Sequence, residues 1–470
     1  MTSRLRLTLL MVSFSLFSSC STPTQSQRAT PPDELTTAAT VDPQTSHAED
    51  LSSDPSQLET IVILGTNDIH GTLTPTAQKS REEPGVTPRN YEFGGVAMIS
   101  AYVKKVRAEH PDHFLWLDGG DQYQGSIESN AETGKPMVDF FNAAGLTASA
   151  VGNHEFDFSL ASLKIRTAGA TYPYLAANVR ERNSGDLAPF PNASTSRIFK
   201  VGKLKVGVIG LTTIDTPTTT RAANVETLTF ESLKDATLRE SETLRKNGAN
   251  IVLITAHVGS LCDPGGPHLA SSRVRKSTDP QGLCGEQDEI VRLLKAIPPG
   301  TVDAVVAGHT HTVIHHWIGG VPVVQGGAFG KYLNLIQLTY DWSKKKIRTE
   351  QTRIEGPIPV CPKVFENQQD CDGTRPAPKG GRGPLVPTKF HGEVIEPDPA
   401  IVALMDPVLK KAAPEKNRKI GFAARPLEHR RLEESELGDV IADAMKRAAK
   451  TDIAYMNPGG VRAPIEMGPI

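Results

Sequence analysis

IVILGTNDIHG, residues 61–71, joins an unbroken apolar run to a tight polar segment. The run has the composition of a strand buried on both faces, and the polar segment stands where such a strand would end. The same junction recurs four times: FLWL before GGDQYQG (119–125), ASAV before GNHEFDF (152–158), NIVLI before TAH (255–257) and VDAVV before AGHTHT (307–312). Further strands are expected at 205–212, 321–327 and 333–341, and helices at 96–109, 136–144 and 231–247. This alternation implies an α/β fold with helices packed on sheet faces. Ligand sites in open α/β sheets form at the carboxyl edge. Asp68, His70, Asp121, Asn153, His257, His309 and His311 are therefore expected together, on one edge of one sheet. Four imidazoles, two carboxylates and an amide mix borderline nitrogen with hard oxygen, a donor set suited to two divalent ions.

The ordered set D-x-H (68–70), GD (120–121), GNHE (152–155), His257 and GHxH (308–311) resembles the calcineurin-like metallophosphoesterases. GNHEFDF and the motifs near the C-terminus are similar to the 5′-nucleotidase/UDP-sugar hydrolase branch. The resemblance implies a four-layer α/β/β/α sandwich followed by a partial α+β C-terminal nucleotidase domain. It also implies a role for each residue. Asp68, His70 and His311 would hold one ion, Asn153, His257 and His309 the other, and Asp121 would bridge; Zn, Mn or Fe fits such ligands. His154 would face the phosphoryl group, with Asp157 orienting its ring. The tyrosine and glutamines of DQYQGS are expected at the site mouth. Arg431, ahead of SELGDVI, and Asn457 and Arg462, which frame NPGGVR, match positions that grip the nucleoside. The implied reaction converts nucleoside 5′-monophosphates to nucleoside and phosphate. Rivals are 2′,3′-cyclic nucleotide phosphodiesterase or UDP-sugar hydrolysis on the same centre and, in another class, a non-catalytic surface binding or scaffold protein.

Residues 1–20 read as a lipoprotein-type signal peptide. Arg4 and Arg6 precede the apolar core Leu7–Phe17, which is too short to span a bilayer. Ser18 and Ser19 then precede Cys20, the expected lipidation site. Export and anchoring in a bacterial envelope (outer membrane or periplasm) follow from that reading. Residues 21–58, rich in Ser, Thr, Pro and Gln, read as a disordered tether. The catalytic domain is expected at 59–355 and a Pro/Gly-rich linker at 356–390. The second domain is expected at 391–470, with a helix at 436–449 capped by Ser435 and a strand at 452–457. The resembled domain normally continues beyond GGVRAPIEMG, so this portion reads as partial. A formal charge of −2 argues against a nucleic-acid polymer as partner, and no obligate protein partner is expected. Beyond Cys20, four cysteines allow three pairings. Local pairing, Cys262–Cys284 and Cys361–Cys371, is preferred because both pairs lie in Gly/Pro-rich loops; a zinc site is the rival.

Overall fold

A computed structural model describes residues 54–262, 273–279, 283–430, 433–461 and 463–470. Fifteen strands form its two main sheets: β1 Leu58–Thr66, β2 Phe114–Asp118, β3 Ala148–Ala150, β4 Tyr174–Leu175, β5 Ala193–Ser194, β6 Ser196–Val201, β7 Leu204–Thr212, β8 Ile251–His257, β9 Arg273–Lys276, β10 Ala304–Val306, β11 Val313–Ile318, β12 Val321–Gly326, β13 Tyr332–Asp341, β14 Lys346–Ile347 and β15 Arg353–Pro359. The nine-stranded sheet runs β9-β15-β13-β1-β2-β3-β4-β5, with β14 on β13; the six-stranded sheet runs β11-β12-β10-β8-β7-β6.

Side-chain alternation along the strands builds the layers. Ile61, Ile63, Leu115 and Leu117 of one sheet meet Val206, Val208, Leu253 and Val306 of the other in a shared core. Val62, Leu64 and Trp116 point the opposite way. They pack under helices α1 (Val96–Glu109), α2 (Lys135–Ala144) and α3 (Leu160–Gly169). On the far side, Ile209, Val252, Ile254 and Val305 pack under α4 (Leu233–Lys246) and α5 (Glu289–Ala296). The result is helix, sheet, sheet, helix. Strands β1, β2 and β3 are parallel, as are β7, β8 and β10, so each set ends on one edge. The two edges coincide, since Thr255 Oγ1 donates to the Asp118 carbonyl across the sheets at 2.7 Å.

Helix α6 (Pro399–Lys416) lies on the helices of the nine-stranded sheet through Ile401 and Met405. Asp398 starts it: its carboxylate accepts from Ala400 N–H at 3.1 Å and Ser100 Oγ at 2.6 Å and pairs with Lys104 at 2.7 Å. Lys411 and Lys416 reach Glu132 and Glu128 at 2.7 and 2.5 Å. Helix α7 (Glu436–Ala449) has Ser435 at its N-cap, accepting from Gly438 N–H at 3.3 Å.

Three expectations are corrected. The donor loops leave two sheets, not one, because the apolar runs divide between two sheets packed face to face. The stretch 356–390 is not a solvated linker. Strand β15 crosses the boundary expected at 355, Lys363–Phe365 pairs with Leu385–Pro387, and Cys361, Phe365 and Cys371 pack with Tyr91 and Phe93. Its prolines and glycines serve turns between short strands. Residues 452–457 form no strand; Ile453 and Tyr455 are 81% and 85% exposed, with no ladder partner among the described residues. Both local disulfides, Cys262–Cys284 and Cys361–Cys371, are present.

Replacing Asp398 by Ala is expected to lower the unfolding free energy by about 1–2 kcal/mol at pH 7. Burial works against the Asp398 charge, but Lys104 and Ser100 outweigh it and hold the carboxyl below its ordinary value. The stabilisation is thus present above the unfolded carboxyl's pKa and lost as pH falls through the folded one. Urea titrations stepped down from pH 7 should show the gap between wild type and variant closing; equal stability at pH 7 would refute the role.

Candidate metal centre

The donors arrive on backbone that L-residues avoid. Asp68, His70, Asp121, His309 and His311 have φ of 50, 51, 55, 79 and 57°. Left-handed residues other than glycine are uncommon, and their clustering marks a functional site. Backbone hydrogen bonds hold them. Asp68 N–H donates to Gly120 O at 2.9 Å, His70 N–H to Asp121 O at 3.0 Å and Phe329 N–H to Asp68 O at 2.7 Å. Gly152 is needed for proximity: a Cβ there would lie 2.2 Å from Asp121 Oδ1.

Each donor atom is fixed by what its other atom does. His70 Nδ1 lies 2.8 Å from Gln124 O, and His257 Nδ1 2.9 Å from Gly119 O. A carbonyl only accepts, so both rings carry a proton on Nδ1 and turn Nε2 into the cluster, where a bound cation would take the place of any second proton. Asn153 Nδ2 donates to Thr219 O at 3.0 Å, which turns Oδ1 toward His257 Nε2, 2.9 Å away. Asp68 Oδ2 accepts from Asn67 Nδ2 at 2.6 Å, His309 N–H is shared between Oδ2 at 3.0 Å and Oδ1 at 3.2 Å, and Oδ1 faces His311 Nε2 at 3.3 Å. His70 Nε2 and His311 Nε2 stand 2.9 Å apart. One oxygen of Asp121, Oδ2, is 3.7 Å from His70 Nε2 and 3.1 Å from His257 Nε2. Asp68, His70, Asp121 and His311 each offer a ligand atom, all within 4.8 Å of one another. Converging lone pairs on buried nitrogen and oxygen are what a divalent cation satisfies, so the residues fit one.

The electrostatics follow from burial and crowding. Asp68, His70, Asp121, Asn153 and His257 are buried. Burial opposes the Asp121 charge, yet His257, His154 and His70 hold its carboxyl well below the ordinary range. Burial likewise disfavours a charged His257, but Asp121 and Asp68 outweigh it and push the ring up to about 10. His309 goes the other way, down to about 4, through burial and the neighbouring His257.

His154 and Asp157 stand beside this cluster. His154 Nδ1 donates to Asp157 Oδ2 at 2.6 Å, and its ring centre is 5.3 Å from that of His70. Its backbone N–H donates to Asp121 Oδ1 at 2.9 Å. Asn457 is exposed, and its Oδ1 accepts from Gly460 N–H at 3.0 Å. Cys20, Arg431 and Arg462 lie outside the described residues.

The motifs did not reveal everything at the site. Glu155 is 1% exposed, and its carboxylate accepts from the N–H groups of Asp121 (2.8 Å), Gln122 (2.7 Å) and Gly152 (2.7 Å). It ties the loop after β2 to the loop after β3; the fourth letter of GNHE was the available signal. Phe329, with φ 60°, sets its ring 5.5 Å from His70 and 5.7 Å from His311. The flanking glycines of GGAFG marked that loop as special. Gln122 and Tyr123 are buried beneath the site rather than placed at its mouth. Gln122 Oε1 accepts from Tyr172 and Tyr174, and Nε2 donates to Asp118 and Ser149. Buried polar groups of this kind must be partnered, and the two tyrosines meet that need.

Residues 61–313 match the calcineurin-like phosphoesterase family model, and 415–470 match that of the 5′-nucleotidase C-terminal domain. Snake venom 5′-nucleotidase of Gloydius brevicauda is 31% identical over 308 residues, covering 60% of this chain and 45% of that protein. The chain thus spans less than half the length of that relative. Protein UshA of Yersinia enterocolitica is 26% identical over 434 residues, covering 87% of this chain and 70% of that protein. In fold, the crystal structure of a 5′-nucleotidase precursor from Thermus thermophilus is similar, with a TM-score of 0.64 at 24% identity over 88% of this chain and 72% of that one. With more than half of its residues in the first family match and the donors of that region gathered at one edge, this chain belongs to the calcineurin-like phosphoesterases.

Proposed function

We propose that this chain is an exported phosphohydrolase that binds two divalent ions, of Zn, Mn or Fe, and converts nucleoside 5′-monophosphates to nucleoside and phosphate. The observation that carries the two-ion reading is the reach of Asp121 Oδ2 to both His70 and His257. Asp68, His70 and His311 would hold one ion and Asn153, His257 and His309 the other, with Asp121 shared. Bound ions supply a water of lowered pKa and relief of phosphate charge. The chain's own residues do the rest. Asp157 fixes the His154 ring through Nδ1, and Nε2 is assigned to meet a phosphoryl oxygen or pass a proton to the leaving oxygen. The match at 415–470 supports a nucleoside grip, to which Arg431, Asn457 and Arg462 are assigned. The N-terminal residues support export and acylation at Cys20. In domain terms the reading takes residues 59–390, with the packed stretch after 355 included, as catalytic and 391–470 as substrate-binding.

The test is phosphate release from AMP, UDP-glucose, 2′,3′-cyclic AMP and p-nitrophenyl phosphate, with Mn, Zn or chelator. Chelator-sensitive AMP hydrolysis is the expected result. Hydrolysis of the sugar or cyclic nucleotide in its place would move the substrate assignment, and no hydrolysis by metal-loaded protein would favour the binding-protein reading.

Two variants probe the site itself. His154→Ala should cut turnover roughly 10²- to 10⁴-fold with metal content preserved; unchanged turnover would sink the assignment. Metal analysis after repletion should find two ions per chain, and one would contradict the shared carboxylate. Glu155→Gln swaps one acceptor oxygen for an amide donor against the same N–H groups. Calorimetric titration of chelator-stripped protein should show metal affinity weakened roughly 10- to 100-fold; an unchanged affinity would mean that Glu155 does not set the loops.

A further inference from the structure

The carboxylate of Asp157 has two oxygens, and the pairing with His154 uses only Oδ2. The other, Oδ1, accepts from Thr220 Oγ1 at 2.6 Å. A hydroxyl, a carboxylate and an imidazole therefore stand in line. Thr220 does not belong to the GNHEFDF segment. It lies 63 residues further on, between the short helices Thr216–Thr219 and Ala222–Val225, on the strap that follows β7.

That strap crosses the molecule. It leaves the six-stranded sheet at Thr212 and is pinned at its start by Glu289, whose carboxylate accepts from Thr213 Oγ1 at 2.6 Å and Ile214 N–H at 3.2 Å. It ends with Val225 and Leu228 buried in the core over the nine-stranded sheet. Between these anchors it grips the 153–157 turn at further points. Asn224 Nδ2 donates to the carbonyls of Phe156 at 2.8 Å and Asp157 at 3.0 Å. Thr219 O receives the Asn153 amide at 3.0 Å. The strap therefore holds the turn's backbone through Asn224 and the carboxylate's free oxygen through Thr220.

We infer that Thr220 is a positioning residue for the His154–Asp157 pair: its hydroxyl locks the Asp157 carboxylate and through it the His154 ring. A carboxylate held at one oxygen can turn about its last torsion, while one held at both cannot. The Asp157 side chain is 17% exposed, so its solvation is partial and a lost protein donor is not fully replaced by water. Imidazole orientation set through a partnered carboxylate is a general device of histidine-based sites. The inference rests on the proposed catalytic role of His154 and goes beyond it, because the Thr220 hydroxyl acts through Asp157 rather than on a metal donor.

The test uses the full chain, Mn- or Zn-loaded, with AMP as probe. Thr220→Val keeps the shape and removes the donor, whereas Thr220→Ser keeps the donor. Thr220→Val should lower kcat roughly 3- to 30-fold with KM and metal content unchanged and the melting temperature lowered by only a few degrees. Thr220→Ser should restore kcat to near wild type. Thr220→Ala, run alongside, should match the Val variant and stands in for it should Val perturb the strap. His154→Ala separates the two levels of the argument. If it abolishes turnover while the Val and Ala variants keep wild-type kcat, the Thr220 inference is overturned and the His154 reading survives. If His154→Ala keeps turnover, both fall. Loss of metal in the Val and Ala variants, or a Ser variant as poor as Val, would show Thr220 to be structural and overturn the inference.

Discussion

Everything at this edge depends on holding left-handed backbone in place. Five of the seven donors have φ between 50 and 79°, a region that costs an L-residue on the order of 1–3 kcal/mol. Such residues persist only where their surroundings over-determine them. Here the parallel ladder of β1 and β2 does not stop at the strand ends. It continues as Asp68 to Gly120, His70 to Asp121 and Gly71 to Gln122, so two loops after neighbouring strands are zipped together. Glu155 ties the third loop to the second, and Phe329 closes on the first.

The same constraint explains why the two sheets must be a pair. The nine-stranded sheet carries Asp68, His70, Asp121 and Asn153 on its loops; the six-stranded sheet carries His257, His309 and His311. Both candidate carboxylate donors come from one side and three of four imidazoles from the other. His257 also donates to Gly119 O, and Thr255 to Asp118 O, so the seam is stitched below the donors before any ion binds. Beneath it the interface is apolar, filled by Ile61, Ile63, Val208 and Leu253. Sheet docking is driven by that apolar core. The polar edge then inherits its geometry, and ion binding there is linked to keeping the sheets together.

Much of this was legible in the sequence because the signals are local. A buried parallel strand is an apolar run, and its end is the first polar segment, so the donors announced themselves. The pattern of helix α1 matches its observed ends, and Ser435 is recognisable as a cap from type and spacing alone. What failed was what distant residues decide. Nothing in IVILG or NIVLI says which sheet each joins, since both are apolar on both faces. Residues 452–457 alternate like a strand but find no neighbour to pair with among the described residues. The stretch 356–390 has a linker's composition, yet a disulfide and Phe365 give it a small core of its own. Glu155 was legible as a letter but not as a clamp, because its partners 33 and 34 residues away are backbone groups that carry no side-chain signature. Thr220 was invisible for the same reason: one threonine in a threonine-rich strap.

His154 shows how these layers meet. Its N–H is held by the carboxylate of Asp121 and its ring by that of Asp157, so the main chain follows the donor cluster while the ring follows the strap. Asp121 follows a strand of the nine-stranded sheet, whereas the strap leaves the six-stranded one. A residue placed by both is fixed relative to the donors only when the sheets are docked in register. The ring nonetheless lies outside the converging lone pairs, so its chemistry can be altered without unmaking the donor set. In the proposed reading, metal holding and proton handling would fall to adjacent residues of one turn, Asn153 and His154. They are separated by the direction in which that turn points each side chain: Asn153 toward His257, and His154 toward Asp157.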